Sequence, residues 1–176
     1  YLHTFAASEG IDVDAVEMPR RITPLQDLVA LFGIWQAFRR LRPQIVHAHT
    51  PKGGLLGMLS AWLSRTKVRV YHMHGLPYLT ATGWKRRLLM WSEYISCRLA
   101  HRVICVSASV RAVAVDAGLC PAEKIRVLLE GSCNGVDAAG RFNPSLLGDN
   151  VRNNTRGKYD IPSDAIVVGF VGRLVR

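Results

Sequence analysis

The sequence predicts an α/β fold, a parallel sheet with helices on both faces. Three observations carry this. Short apolar runs rich in β-branched residues alternate with longer stretches of helical period along most of the 176 residues. Residues 44–78, QIVHAHTPKGGLLGMLSAWLSRTKVRVYHMHGLPY, read as strand, Gly-rich turn, helix and strand. That is a βαβ unit, whose strands are parallel neighbours joined by a right-handed crossover. Finally, no apolar run is long enough to span a bilayer, so the apolar stretches have the lengths of core elements.

The elements follow in order. Residues 1–9 read as a helix stopped by Gly10. Residues 11–18, IDVDAVEM, alternate apolar with acidic or small residues and predict a half-buried strand. A basic loop bounded by Pro19 and Pro24 comes next. Leu25, Leu28, Val29, Leu31, Phe32, Trp35, Phe38 and Leu41 then recur at helical spacing, with Gln26, Gln36, Arg39 and Arg40 opposite, and Pro43 ends that helix. The βαβ unit places strands at 44–48 and 68–73, a turn at Pro51-Lys52-Gly53-Gly54 and a helix at 55–63. The loop 75–83 is long, and long loops at strand ends tend to be functional. A helix from Trp84 to about Ala100 carries Leu88, Trp91, Ile95 and Leu99 as its apolar positions. Residues 102–106 are a buried strand, and Ser107 suits the N-cap of a helix ending near Gly118. A strand at 124–129, an Asn-Gly loop at 131–137, a helix around 151–159 and a strand at 166–171 complete the series.

The composition, 49% hydrophobic and 20% charged, is ordinary for a globular chain, and its length suffices for one well-buried domain. A net charge of +10 points to an anionic partner: nucleic acid, phosphorylated substrate or membrane surface. Nucleic acid has the charge but no recognisable module behind it, so no nucleic-acid role is assigned. Cys97, Cys105, Cys120 and Cys133 form no Cys-x-x-Cys and read as reduced thiols of a cytosolic protein. A Gly-x-Ser-x-Gly elbow, a Gly-x-Gly-x-x-Gly fingerprint and a Walker loop are all missing, which argues against a serine hydrolase, a dinucleotide enzyme and a P-loop NTPase.

The chemistry gathers at the ends of the two βαβ strands, where ligands of parallel sheets bind. Each strand ends in His-x-His: His47 with His49, and His72 with His74. Three readings stay open. Alternate strand residues share a face and neutral imidazole is a good metal ligand, although four histidines without carboxylate or thiolate are an uncommon set. One imidazole could serve as hydrogen-bond donor or acid/base at a sugar or phosphate. The others could be core histidines satisfied by the backbone. Lys52-Gly53-Gly54, ahead of a helix, could hold an anion on exposed N–H groups. Lys85, Arg86 and Arg87 put three cations in a first helical turn, against the helix dipole. Either they are a solvated face, or a phosphate or lipid headgroup offsets that cost.

In their order, RRITPLQDL (20–28), RPQIVHAHTPKGGLLG (42–57), VRVYHMHGLPY (68–78), RVICVSASVR (102–111), EKIRVLLEGSCNGVD (123–137) and VGFVGRLVR (168–176) resemble the amino-terminal half of bacterial family 4 glycosyltransferases of the GT-B fold. The motifs span nearly the whole chain. The resemblance implies two Rossmann-like domains facing across a cleft, an acceptor-side domain at 1–164 and the first strand of a nucleotide-sugar domain at 165–176. It implies retaining transfer of a sugar from a nucleotide-sugar to a glycan or polyprenyl-linked acceptor, in cell-surface polysaccharide synthesis. It further implies a cytoplasmic enzyme peripheral to an anionic membrane surface, with no metal and no cofactor beyond the nucleotide-sugar co-substrate. By the same resemblance, His74 and Gly75 form the strand-end His-Gly motif, with His74 at the donor sugar or reacting centre, and Arg173 binds the donor diphosphate. Lys52 with Gly53, and Lys85, Arg86 and Arg87, fit an acceptor diphosphate or membrane phosphates by charge and position. Gln44 replaces an acidic residue common after the proline, and Glu130 stands where small or amide residues are usual. The family's first strand and its Gly-rich loop are expected before Tyr1, and its Glu-x7-Glu motif after Arg176, so the chain reads as a fragment without transfer activity of its own. The competing reading is a non-catalytic, anion- or membrane-surface-binding Rossmann-like module.

Overall fold

The computed structural model describes residues 2–19, 21–132 and 135–169. By internal contacts the chain forms two compact units, Tyr1–Cys133 and Asn134–Arg176.

The first unit opens with helix α1 (Leu2–Glu9), which Gly10 ends at a φ of +65°. Its centre is a parallel four-stranded sheet of β1 (Ile45–His49), β2 (Val68–Met73), β3 (Arg102–Cys105) and β4 (Ile125–Val127), in that spatial order. Parallel neighbours need crossovers, supplied here by α3 (Pro51–Leu63), α4 (Gly83–Leu99) and α5 (Ala108–Asp116). Tyr71 lies opposite Val103, and Val103 opposite Ile125, so these residues share one face with Met73 and Cys105. All five are fully or almost fully buried, and with Met58 and Ala61 of α3 they form the core.

Two glycines set how closely α3 approaches the sheet. A Cβ on Gly54 would lie 2.2 Å from Cε2 of Tyr71, and one on Gly57 would lie 2.9 Å from Cβ of Ala48. The Lys-Gly-Gly segment is therefore not a turn ahead of the helix, as its composition suggests. It is the first turn of α3 itself, opened by Pro51 at the position where a missing N–H costs nothing. Helix α2 (Pro24–Leu41) packs on α3, where the Ser60 hydroxyl donates to the Leu31 carbonyl at 3.2 Å. From the other side the Tyr71 hydroxyl donates to Oε2 of Glu93 in α4 at 2.8 Å, with both residues buried. The C-terminal carbonyls of α4 are capped by cations: Nε of Arg69 donates to Leu99 O at 2.7 Å and Nζ of Lys124 to Arg98 O at 3.1 Å. Ser107 caps α5 as expected, its hydroxyl accepting from the Val110 N–H at 3.2 Å.

Residues 11–18 do not form the strand that their alternation predicts. The segment meets no partner strand among the described residues and runs as a strap along α2. Val16 packs under Gly33, and Asp14 pairs with Arg40. The apolar stripe of α2 is also split. Ala30 is buried and Leu31, Ile34 and Phe38 are half-buried, while Leu25, Leu28, Val29 and Phe32 face solvent, because α3 covers only one side of the helix.

The second unit holds a 3-10 turn (Pro144–Leu146) and α6 (Asp149–Lys158). The Arg156 guanidinium donates to the carbonyls of Pro162 and Ala165, folding the chain after α6 back on the helix. Of the strand expected at 166–171, residues 166–169 carry no strand structure and meet no partner strand among the described residues of this unit, and 170–171 lie outside the described residues.

Two outcomes follow. Gly54→Ala should cost about 1–3 kcal/mol or more in urea denaturation, since the Tyr71 ring and the α3 backbone must separate; a neutral substitution would show that the approach is not fixed here. Burial pushes the Glu93 carboxyl up to about 7, against the lowering effect of the Tyr71 hydrogen bond. The folded state then keeps a proton that the unfolded state gives up, and stability is lost as pH rises through the folded value. Relative to wild type, Glu93→Gln should gain about 2–3 kcal/mol between about pH 5 and about pH 8.5. A difference that stays flat with pH would mean that Glu93 is ionised throughout.

Candidate functional site at the strand ends

The core claims alternate residues of β1 and β2, so His47, His49 and His72 fall together on the opposite face. The register sets His49 beside His72, and His74 follows one residue past β2. The rings form one cluster. His47 and His72 stack with centroids 5.4 Å apart, His47 and His49 are 4.2 Å apart, and His72 and His74 are 4.5 Å apart. Nδ1 of His49 and Nε2 of His74 are 2.9 Å apart, a hydrogen bond that one ring donates and the other accepts.

His72 is 8% exposed, and neither of its ring nitrogens has a hydrogen-bond partner among the described residues. His47, His49 and His74 are exposed. Burial, then the neighbouring imidazoles, pushes His72 down to about 4. Desolvation and neighbouring rings also hold His47 and His49 below the ordinary imidazole value. At neutral pH these three rings are therefore uncharged, each with one donor and one acceptor nitrogen. One nitrogen from each of His47, His49 and His72 can be chosen so that all three lie within 4.8 Å of one another, the only such cluster among the described residues.

Thr50, directly after His49, sits at φ 65° and ψ 159°, a region that is essentially glycine-only. A β-branched residue held there marks the strand–helix corner as strained, and such strain clusters at functional sites. Its carbonyl accepts the Gly54 N–H at 2.6 Å. Nothing in the residue type announces this position, and sequence reasoning missed it.

The other site residues divide. A Cβ on Gly75 would meet nothing within 4 Å among the described residues, so the backbone beside His74 is open there. Lys52 is occupied: its ammonium pairs with Oδ1 of Asp27 at 2.5 Å and donates to the carbonyls of Pro19 and Arg21. Burial raises Asp27, but Lys52 and the Thr23 N–H and hydroxyl outweigh it and hold that carboxyl below its ordinary value. Lys52 thus ties the first turn of α3 to the loop before α2. Gly53 stands beside it, with the Thr50 hydroxyl oxygen 3.1 Å from where its Cβ would be. Lys85, Arg86 and Arg87 are exposed near the start of α4, Arg87 just past its first turn, and make no salt bridge among the described residues. The Arg86 guanidinium lies over the Tyr78 ring at 5.7 Å. Trp84 and Trp91 on the same helix are 72% and 61% exposed. Arg173 lies outside the described residues.

Known proteins resemble this chain over most of its length. The family model of the glycosyl transferase 4-like domain fits residues 3–131. The chain is 33% identical over 162 residues to the capsular polysaccharide biosynthesis glycosyltransferase CapM of Staphylococcus aureus, across 92% of this chain and 41% of that protein. It is 24% identical over 156 residues to the UDP-Gal:alpha-D-GlcNAc-diphosphoundecaprenol alpha-1,3-galactosyltransferase of Escherichia coli, across 88% and 38%. The chain thus spans about two fifths of the length of these relatives. Among solved structures, HepE of Anabaena in complex with UDP superposes with a TM-score of 0.62 at 19% identity, over 90% of this chain and 39% of that one. A glycosyltransferase from Rickettsia africae gives 0.60 at 19%, over 92% and 39%. These two share the fold. On the match over residues 3–131 and the similarity to the staphylococcal protein, the chain belongs to the glycosyl transferase 4-like domain family.

Proposed function

We propose that the chain is the acceptor-side part of a glycosyltransferase that moves a sugar, with retention, from a nucleotide-sugar to a glycan or lipid-linked acceptor in cell-surface polysaccharide synthesis. The carrying observation is His74, an exposed imidazole held at a strand end by His49 and flanked by the open backbone of Gly75. With the His49 Nδ1–H donating to Nε2 of His74, the Nδ1–H of His74 is free to donate to a sugar hydroxyl or to the reacting centre. Relatives support the substrate classes. The Escherichia coli protein is named for a diphosphoundecaprenol-linked acceptor, and HepE has been crystallised with UDP-glucose.

In this reading charge develops on the leaving diphosphate, and its stabilisation is electrostatic. Arg173 is the residue assigned to it, at the start of a donor-binding domain from 165 onward. The reaction asks for no metal and no cofactor besides the nucleotide-sugar. The enzyme works at the cytoplasmic face of the membrane as a peripheral protein. His74→Ala in the full-length protein should lower the transfer rate by about 100-fold or more while leaving the melting temperature unchanged. Wild-type turnover of that variant would remove His74 from the mechanism.

A second reading, an anion- or membrane-surface-binding module, is favoured by one feature. Trp84 and Trp91 stand exposed on the helix that carries Lys85, Arg86 and Arg87 near its start. Aromatic side chains beside cations suit the headgroup region of an anionic bilayer. The chain should co-sediment with anionic but not zwitterionic vesicles at low salt, and loss of all three cations should weaken binding on the order of 100-fold. No binding to anionic vesicles at low salt would remove the membrane surface from both readings.

A further inference from the structure

We propose that His47, His49 and His72 form a binding site for a divalent first-row transition ion, zinc foremost, with His74 as the outer partner that orients His49. Three independent features converge on it. The first is the donor set. One nitrogen from each ring falls within 4.8 Å of the other two. A zinc ion sits about 2.0–2.1 Å from imidazole nitrogen, which asks for nitrogens about 3.4 Å apart in tetrahedral geometry. Each nitrogen has to move inward by less than about 1 Å, within reach of small side-chain rotations.

The second is an unmet need. His72 is 92% removed from solvent, and both of its ring nitrogens lack a partner among the described residues. A buried polar atom without a partner is costly, and a metal bond would satisfy one. The third is the outer shell. Histidines that ligate metals hand their second ring nitrogen to a fixed partner, which sets tautomer and ring orientation. His49 does this through Nδ1 to Nε2 of His74, and with Nδ1 as the donor its Nε2 carries the lone pair that an ion would use. His47 and His49 are exposed, so an ion has a path from solvent to His72. Three imidazoles also leave a fourth position on a tetrahedral ion for water or an anion. Nitrogen donors favour zinc, nickel and copper over magnesium or calcium.

The ion would clasp the carboxyl ends of β1 and β2. This proposal is independent of glycosyl transfer, and its readout needs neither donor nor acceptor. The experiment is thermal denaturation and calorimetric titration of the untagged 176-residue chain with zinc, nickel and magnesium chlorides. One zinc or nickel per chain should bind and raise the melting temperature, and magnesium should do neither. His47→Ala/His49→Ala changes two exposed residues, so the variant keeps its fold and should lose the effect. His74→Ala should bind zinc about 10- to 100-fold more weakly. Cobalt should give the visible absorption of a tetrahedral nitrogen site in wild type and not in the double variant. Absence of any zinc effect on wild type overturns the proposal. So does an undiminished effect in the double variant, which would place the ion elsewhere, as at the buried thiols of Cys97 and Cys120.

Discussion

The first unit depends on the place of one side chain, Tyr71. Its ring fills the space that a Cβ on Gly54 would need, and its hydroxyl reaches Glu93 on the next helix. A strand, the helix before it and the helix after it are thereby locked at one residue. The close approach of α3 also brings Gly57 against Ala48 and sets the first turn of that helix directly after β1. The short link this leaves is Thr50, which takes up a backbone conformation that its side chain disfavours.

The opposite face of the sheet follows from the same commitment. Val46, Ala48, Tyr71 and Met73 point to the core, so the residues between them must point away, and in this sequence they are largely histidines. Crowding and partial burial keep His47, His49 and His72 uncharged at neutral pH. Neutral imidazoles with open nitrogens can bond to sugar hydroxyls or ligate a metal ion, whereas a cluster of imidazolium ions would repel itself and lose its acceptors.

Much of the fold was legible because it rests on local pattern. Strand 68–73 and the Ser107 cap stand where the sequence puts them, and the helix before Gly10 and the one ending near Gly118 are close to their expected bounds. Local pattern misled where a partner was needed. Residues 11–18 alternate as a strand does, yet alternation describes only one edge of a ladder, and no second edge meets them among the described residues. Gly53 and Gly54 read as a turn because glycine is rich in turns, but glycine also marks close packing, and only the position of Tyr71 separates the two.

The sequence by itself determined the alternating α/β order, the parallel βαβ unit and four histidines at its strand ends, because these follow from periods of two and 3.6 along the chain. Tertiary structure alone decided what those residues touch. It paired Lys52 with Asp27, 25 positions earlier in the chain, and so occupied a cation that position alone assigned to an anion. It left the buried His72 ring without a hydrogen-bond partner among the described residues and joined His49 to His74 across two strands. Such contacts depend on distances between residues far apart in the chain, which no period or propensity encodes.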